Sequence, residues 1–406
     1  MIQAALALSN RLARSPWRPI APSGRRRTRW FAIGDLQTSL VRVLEVLDGA
    51  GLLGPDGTLE PDVGLISVGD HFDYPGADDS VGRQGMRVLR WLAQHPPDQV
   101  IILAGNHDLT RVSELAYETD ETFARARALA RQILAARRNP ALTHSLKLRF
   151  VREFPRIPIY NIAARDYVSF SEAQRALVSD LLTHGRMVVA CSAQLPGGAP
   201  LLITHAGVTH RQLAQLGLAD VRDVTVIADR LNEWFAQAVA RVSDRWARGE
   251  LAALDLRPVH VAGTSGCVGG GLLYHRPAQP GRRGGNDRWE FDPVTPRRFD
   301  PRTLPLGVVQ ACGHTGHRKC VKELGDWVAD SARAIARGGL RTLRTDGTHV
   351  TYEGGVNEPA PGEATLYMID AEIHHVATEQ YPLLQLAGLG APGVQLAATA
   401  VPPDAP

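Results

Sequence analysis

The segment Val100-Ile101-Ile102-Leu103-Ala104-Gly105-Asn106-His107-Asp108 sets an amide, an imidazole and a carboxylate side by side at the end of an apolar run. The run reads as a buried strand, and an apolar strand that delivers polar groups at its carboxyl end is how open α/β sheets build sites. Four other stretches repeat the pattern. Trp30-Phe31-Ala32-Ile33 leads into Gly34-Asp35-Leu36-Gln37, and Leu65-Ile66-Ser67-Val68 into Gly69-Asp70-His71-Phe72-Asp73. Leu201-Leu202-Ile203-Thr204 leads into His205-Ala206-Gly207, and Val308-Val309-Gln310-Ala311-Cys312 into Gly313-His314-Thr315-Gly316-His317. A single Gly-Asp after a strand is an ordinary turn closed by a side-chain hydrogen bond. Five strand ends that all carry metal-capable side chains are not explained by turns alone.

The intervals between these runs read as helices and loops. Leu40, Val43, Leu44 and Leu47 fall on one helical face, and Gly54-Pro55-Asp56-Gly57 turns the chain into the next strand, giving a β-α-β crossover. A second apolar helix around Met86 to Leu92 stops at Pro96-Pro97. Residues 109–185 and 209–258 read as helical insertions. The first is rich in Ala and Arg up to Asn139 and ends in a capped helix from Ser171 to Leu182. The second carries the stripe Leu231, Trp234, Phe235 and Val239, and is read either as a lid over the site or as a layer covering the sheet. Met187 to Ala193 and Pro200 to Thr204, separated by Leu195-Pro196-Gly197-Gly198, have the grammar of a hairpin. Residues 277–305 are dense in Pro, Gly and Arg and read as a loop, and 386–406 as a disordered tail. Residues 1–29 contain no acidic side chain. They read as a basic arm, with a mitochondrial-type presequence as the alternative. One domain over residues 30–385 remains.

At 406 residues with 44% hydrophobic side chains the chain can bury a sizeable core. The net charge of +3 is unevenly placed, with Arg-rich stretches from Arg25 to Arg29 and from Arg282 to Arg298. Solvated surface is the preferred reading of these runs over nucleic-acid binding, and anionic substrates are permitted. Cys191, Cys267, Cys312 and Cys320 show no paired spacing, which argues against a zinc knuckle or a disulfide framework. Reduced thiols in the cytoplasm are therefore expected. No run approaches the length of a membrane span.

Two divalent ions about 4 Å apart can share a carboxylate and a hydroxide, clamp a phosphoryl oxygen and generate a nucleophile at neutral pH. In such a site Asp35 and Gln37 would hold the first ion, Asp70 would bridge, and Asn106, His205 and His314 would hold the second. Mixed oxygen and nitrogen donors suit manganese, the expected ion, with iron or zinc as alternatives. His107 and Asp73 are then left for chemistry: an imidazolium can protonate the leaving oxygen, and a carboxylate on its other nitrogen fixes the tautomer and raises the pKa. His71 reads as a neighbour of the site, because side chains alternate near a strand end.

On these motifs the chain resembles the metallophosphoesterase superfamily, also called calcineurin-like phosphoesterases, and within it the phosphoprotein phosphatase and diadenosine polyphosphate hydrolase branch. The family pattern GD-x-H, GD-x-x-D, GNH-D/E, H-A/G-G and GH is matched in order by Gly34-Asp35, Gly69-Asp70 with Asp73, Gly105-Asn106-His107-Asp108, His205-Ala206-Gly207 and Gly313-His314. The resemblance spans Trp30 to about Asp370. It implies an α/β fold, the four-layer α/β/β/α sandwich of the metallo-dependent phosphatases, and assigns the same roles to the same residues.

Three departures stand out. Gln37 replaces the usual histidine with a weaker neutral ligand, and His317, three residues past His314, is expected at the surface. Tyr74 stands where protein phosphatases place a phosphate-gripping arginine, a part for which Arg276 is the candidate. The spans around His205 are enlarged. The expected activity is hydrolysis of a phosphomonoester or phosphoanhydride in a phosphoprotein, nucleotide or small molecule. The rival reading is a catalytically silent metal- or phosphate-binding module that acts through a partner.

Overall fold

Strands β1 (Arg29–Ile33), β2 (Val63–Ser67), β3 (Val100–Leu103) and β4 (Met187–Val188) lie side by side in parallel, and β15 (Leu384–Leu386) joins antiparallel at the free edge of β1. The computed structural model describes residues 1–73, 80–264, 269–281, 296–335 and 337–390. A second sheet has the order β13 (Val350–Gly354), β12 (Arg341–Thr345), β14 (Ala364–Met368), β11 (Val309–Cys312), β6 (Pro200–Thr204), β5 (Ala190–Gln194) and β16 (Gly388–Leu389). Within it β14, β11 and β6 are parallel neighbours, so the chain segments after β11 and β6 leave at the same end of the sheet.

The two sheets stack because both faces of their central strands are apolar, as expected of strands covered on each side. In β1 the alternation is plain: Trp30 and Ala32 face the second sheet, whereas Phe31 and Ile33 face helices. The layer between the sheets is built from Trp30, Ala32, Ile66, Val68 and Leu103 against Cys191, Leu201, Ile203, Ala311, Tyr367 and Ile369. Helices α2 (Leu40–Gly49), α3 (Ser80–Ala93) and α7 (Glu172–Thr183) bury their apolar faces with the outward residues of the first sheet. On the far side α9 (Val224–Ala247) packs on β5 and β6. There α10 (His317–Leu324) sets Cys320 and Leu324 against Cys312, Leu343, Leu366 and Met368. The result is the α/β/β/α sandwich.

Several local features differ from the sequence expectation. Residues 2–12, expected in an arm, form α1 (Ile2–Leu12), which buries Ala5 and Ser9 and is tied down by Arg87 Nε donating to Ser9 Oγ at 3.2 Å and Arg90 donating to the Leu12 carbonyl at 2.9 Å. The run Met187 to Ala193 is split between the sheets. Where it crosses, Asn232 of α9 accepts the N–H groups of Val189 and Ala190 at 3.1 Å each and donates to the Ala190 carbonyl at 2.9 Å. The second insertion is thus a covering layer and not a lid. Residues 386–389, expected in the tail, take part in β15 and β16, while 391–406 lie outside the described residues.

The first insertion folds as α4 (Asn106–Leu109), α5 (Asp120–Ala135), α6 (Pro140–Glu153) and α7, with its own apolar cluster around Phe123, Ile133, Phe150, Tyr167 and Tyr274. The second also contains α8 (His210–Gln215). The Pro/Gly/Arg-rich loop has paired ends, β9 (Arg276–Pro277) running parallel to β10 (Arg298–Phe299), and β7 (His260–Val261) pairs with β8 (Gly270–Gly271). Residues 282–295, and Tyr74 with its neighbours 75–79, lie outside the described residues.

Candidate metal centre

The strand ends after β1, β2, β3, β6 and β11 meet at one edge of the sandwich, and their backbone is held in unusual conformations to do so. Asp70, Asp73 and His314 have φ of 53°, 66° and 61°, in the left-handed region that costs a non-glycine residue of order 1 kcal/mol. Hydrogen bonds hold them there. Asp108 accepts from the N–H groups of Asp70 at 3.0 Å, His71 at 3.1 Å and Gly105 at 2.9 Å, so one buried carboxylate ties the second strand end to the third. Gly105 must lack a side chain, since a Cβ there would collide with Asp70 Oδ1. The His314 N–H donates to Asp35 Oδ1 at 2.8 Å, which joins the first strand end to the last.

Backbone acceptors set the tautomers of two buried imidazoles. His205 Nδ1 is 2.8 Å from the Val68 carbonyl and His314 Nε2 is 3.0 Å from the Tyr274 carbonyl, so each donates its proton away from the site. The opposite ring nitrogens therefore present lone pairs inward, the arrangement usual for histidines that bind metals. His205 Nε2 lies 3.4 Å from Asp70 Oδ1, and the ligand-capable atoms of Asp70, His205 and His314 all lie within 4.8 Å of one another. The Asn106 carboxamide completes this side, one of its terminal atoms standing 3.1 Å from His205 Nε2 and 2.9 Å from His314 Nδ1. An amide nitrogen in that position donates to both rings. An oxygen in that position joins three other electron-pair donors with no proton among them, a set that fits a cation. Burial, then the charges of Arg276 and His205, hold the His314 pKa well below its ordinary value, which keeps its lone pair available.

Asp35 and Gln37 line a cleft of about 180 Å³ that also receives Asp70, His107, His314 and Arg276. Burial, Asp370 and Asp70 push the Asp35 carboxyl well above the usual carboxylate range. Such crowding of acidic groups is the other mark of a cation site.

His107 stands beside this cluster with its Nδ1 3.1 Å from Asp73 Oδ2 and its Nε2 3.9 Å from Asp70 Oδ2. Burial lowers its pKa, but Asp70 and the hydrogen bond and charge of Asp73 outweigh burial and leave the pKa raised. Asp73 is itself fixed as an anion. Burial would raise it, yet Arg111 at 2.6 Å, His107 and the Ser169 hydroxyl at 2.6 Å hold it at about 2.

Among the groups flanking the motifs, His71 points away, between Asp108 at 3.0 Å and Ser67 Oγ at 2.8 Å. His317, expected at the surface, is buried and stacked on Tyr352, with Nδ1 3.1 Å from the phenol, because the first turn of α10 carries it behind the cleft. Four contributors went unread in the sequence. Arg111 and Ser169 grip Asp73, Tyr167 meets the His107 ring edge to face at 4.9 Å with its hydroxyl 3.3 Å from the Asn106 carboxamide, and Asp370 lines the cleft. The first three belong to the insertion, where no pattern marks them. Asp370 does end an apolar strand, and that pattern was the available signal.

A search of curated proteins gives no match to the chain. The family model for calcineurin-like phosphoesterases, in contrast, matches residues 28–314, a span that runs from the start of β1 to His314 and covers more than half of the chain. With that span and the buried Asp70, His205 and His314 group inside it, the chain belongs to the calcineurin-like phosphoesterases and is a hydrolase acting on phosphoric esters.

Proposed function

We propose that the protein is a dinuclear metal-dependent phosphoesterase that hydrolyses a phosphomonoester or phosphoanhydride, with manganese the expected ion and iron or zinc the alternatives. The observation that carries this reading is the inward convergence of two imidazole lone pairs with Asp70 and Asn106, while Asp35 and Gln37 line the same cleft. Asp70, 3.4 Å from His205 and near enough to Asp35 to raise its pKa, suits a shared ligand. Bound ions would neutralise phosphoryl oxygens and furnish a nucleophile from water near neutral pH.

The chain's own residues supply the rest. Arg276 lines the cleft, and among the described residues its buried Nε has no hydrogen-bond partner, so its guanidinium is the candidate to meet a phosphoryl oxygen. His107, with Nδ1–H donated to Asp73, presents Nε2 to the cleft and can deliver a proton to the departing oxygen. Ser169 and Arg111 keep Asp73 charged and stationary, so the imidazole is oriented before substrate arrives.

A manganese-supplemented hydrolysis screen over phosphopeptides, nucleotides, dinucleoside polyphosphates and aryl phosphates tests this. Turnover of at least one class, lost on chelation and restored by added manganese, is the expected result. Hydrolysis that survives complete metal removal would exclude the proposal.

A further inference from the structure

The imidazole side of the cleft is well provided with donors and the opposite side is not. Asp35 gives one carboxylate there, Gln37 only a neutral amide, and Asp70 is shared. Manganese and magnesium favour six oxygen donors, and a neutral amide oxygen brings no charge to their binding. The chain brings one more carboxylate to that wall. Asp370 follows β14, which is hydrogen-bonded to β11, so it emerges beside the segment that carries His314.

Asp370 is only 9% exposed and lines the cleft together with Asp35 and Gln37. Its backbone abuts the residue before Asp35: a Cβ on Gly34 would lie 2.9 Å from the Asp370 Cα. Oδ1 accepts the Glu372 N–H at 3.0 Å, but among the described residues no group donates to Oδ2. The buried guanidinium of Arg341 is the natural partner, yet it donates to the main-chain carbonyls of Met368 at 3.1 Å and Asp370 at 2.7 Å. The arginine therefore fixes the turn, and the cation that faces the Asp370 and Asp35 carboxylates in the cleft is Lys319, which a bound metal ion would have to displace or accommodate. Glu372, two residues on and also lining the cleft, has its Oε2 buried with no hydrogen-bond partner among the described residues. A buried carboxylate oxygen without a donor is costly.

We infer that Asp370 is a ligand of the cation on the Gln37 side, supplying the anionic oxygen that Gln37 lacks. The inference rests on the metal-dependent reading above. It makes the two positions chemically unlike: one has imidazole nitrogens, the other is all oxygen from Asp35, Gln37, Asp70 and Asp370. The all-oxygen position selects manganese or magnesium over zinc.

The test is calorimetric titration of the metal-stripped full-length chain with Mn²⁺, using wild type, Asp370→Asn and the double variant Asp370→Asn with Gln37→His. Wild type takes up two ions. Asp370→Asn keeps one with unchanged affinity and binds the other at least about tenfold more weakly, since a lost ligand costs no less than the roughly tenfold lost with a group that only supports one, and the histidine restores it. Thermal melts give an independent readout, since the rise in unfolding temperature caused by Mn²⁺ should shrink in Asp370→Asn while the metal-free protein melts no lower than wild type. If Asp370→Asn does not fold, Asp370→Ser, which keeps a local acceptor for the Glu372 N–H, takes its place. Two ions bound with wild-type affinity by the variant would overturn the role of Asp370 alone. Failure of wild type to bind Mn²⁺ would overturn the metal-dependent reading and this inference with it.

Discussion

In the proposed mechanism His107, with its Nδ1 on Asp73 and its ring lining the cleft, hands over a proton and does not hold an ion. Changing His107→Asn should leave metal content intact and slow hydrolysis of alkyl phosphates by about 10²- to 10⁴-fold, the usual contribution of a general acid. Aryl esters with acidic phenols need little protonation and should slow far less. Metal analysis together with the two rates decides it, and equal slowing of both substrates would sink the assignment. Arg111 makes a second prediction. Its guanidinium is fully buried against Asp73, donates also to Gln174 Oε1 at 3.1 Å and the His107 carbonyl at 2.5 Å, and lies 4.6 Å from the centre of the Phe72 ring. Lysine cannot span these partners, so Arg111→Lys should cost about 3 kcal/mol in urea unfolding, the range for breaking a buried pair; a loss below about 1 kcal/mol would show that the pair is dispensable. At this scale Asp70, Asn106, His107, His205 and His314 were legible because each ends an apolar run. Arg111 and Ser169 were not, since a charge partner chosen by tertiary packing leaves no periodic trace.

Among the elements, the helices α2, α3 and α9 were readable from their apolar faces, whereas the membership of strands in one sheet or the other was not. Met187 to Ala193 is an apolar run interrupted only by Ser192, within β5, and nothing in its composition announces that β4 and β5 belong to different sheets. The decision lies in α9, where Asn232 satisfies the three backbone groups exposed by the crossing. An asparagine among the apolar positions of a covering helix was the only cue. Asn232→Leu preserves the size of the side chain and removes those bonds, leaving polar groups with no ready partner. Unfolding in urea should show a loss of about 2–4 kcal/mol, as expected for several unsatisfied buried groups, with hydrolytic rates in native conditions unchanged because Asn232 does not line the cleft. A loss below about 0.5 kcal/mol would mean that water serves the crossing as well as Asn232 does.

Across the whole molecule, the order of motifs and the strand-end pattern made the layered α/β architecture and the common edge legible, because topology alone brings those ends together. What the sequence could not disclose is which polar groups the core would enclose. His95 is the clearest case, lying far from the cleft, 2% exposed, with Nδ1–H donated to the Trp91 carbonyl at 2.9 Å and Nε2 accepting the Leu59 N–H at 3.1 Å. Both bonds require the neutral ring. Burial, against weaker opposing hydrogen bonds to Trp91 and Leu92, lowers its pKa from 6.5 to about 4. Because the unfolded chain takes up a proton near pH 6.5 that the folded chain refuses until about pH 4, stability falls as the pH drops through that window and is fully retained above it. Near pH 5 the loss from His95 is about 2 kcal/mol relative to pH 7.5, from the 1.36 kcal/mol carried by each unit of pKa difference. His95→Gln has no titrating ring and should lose less stability over the same interval. Urea unfolding of the metal-free chain at pH 7.5 and pH 5 measures both quantities. Equal losses in wild type and His95→Gln would show that His95 is protonated as readily inside the fold as in the unfolded chain.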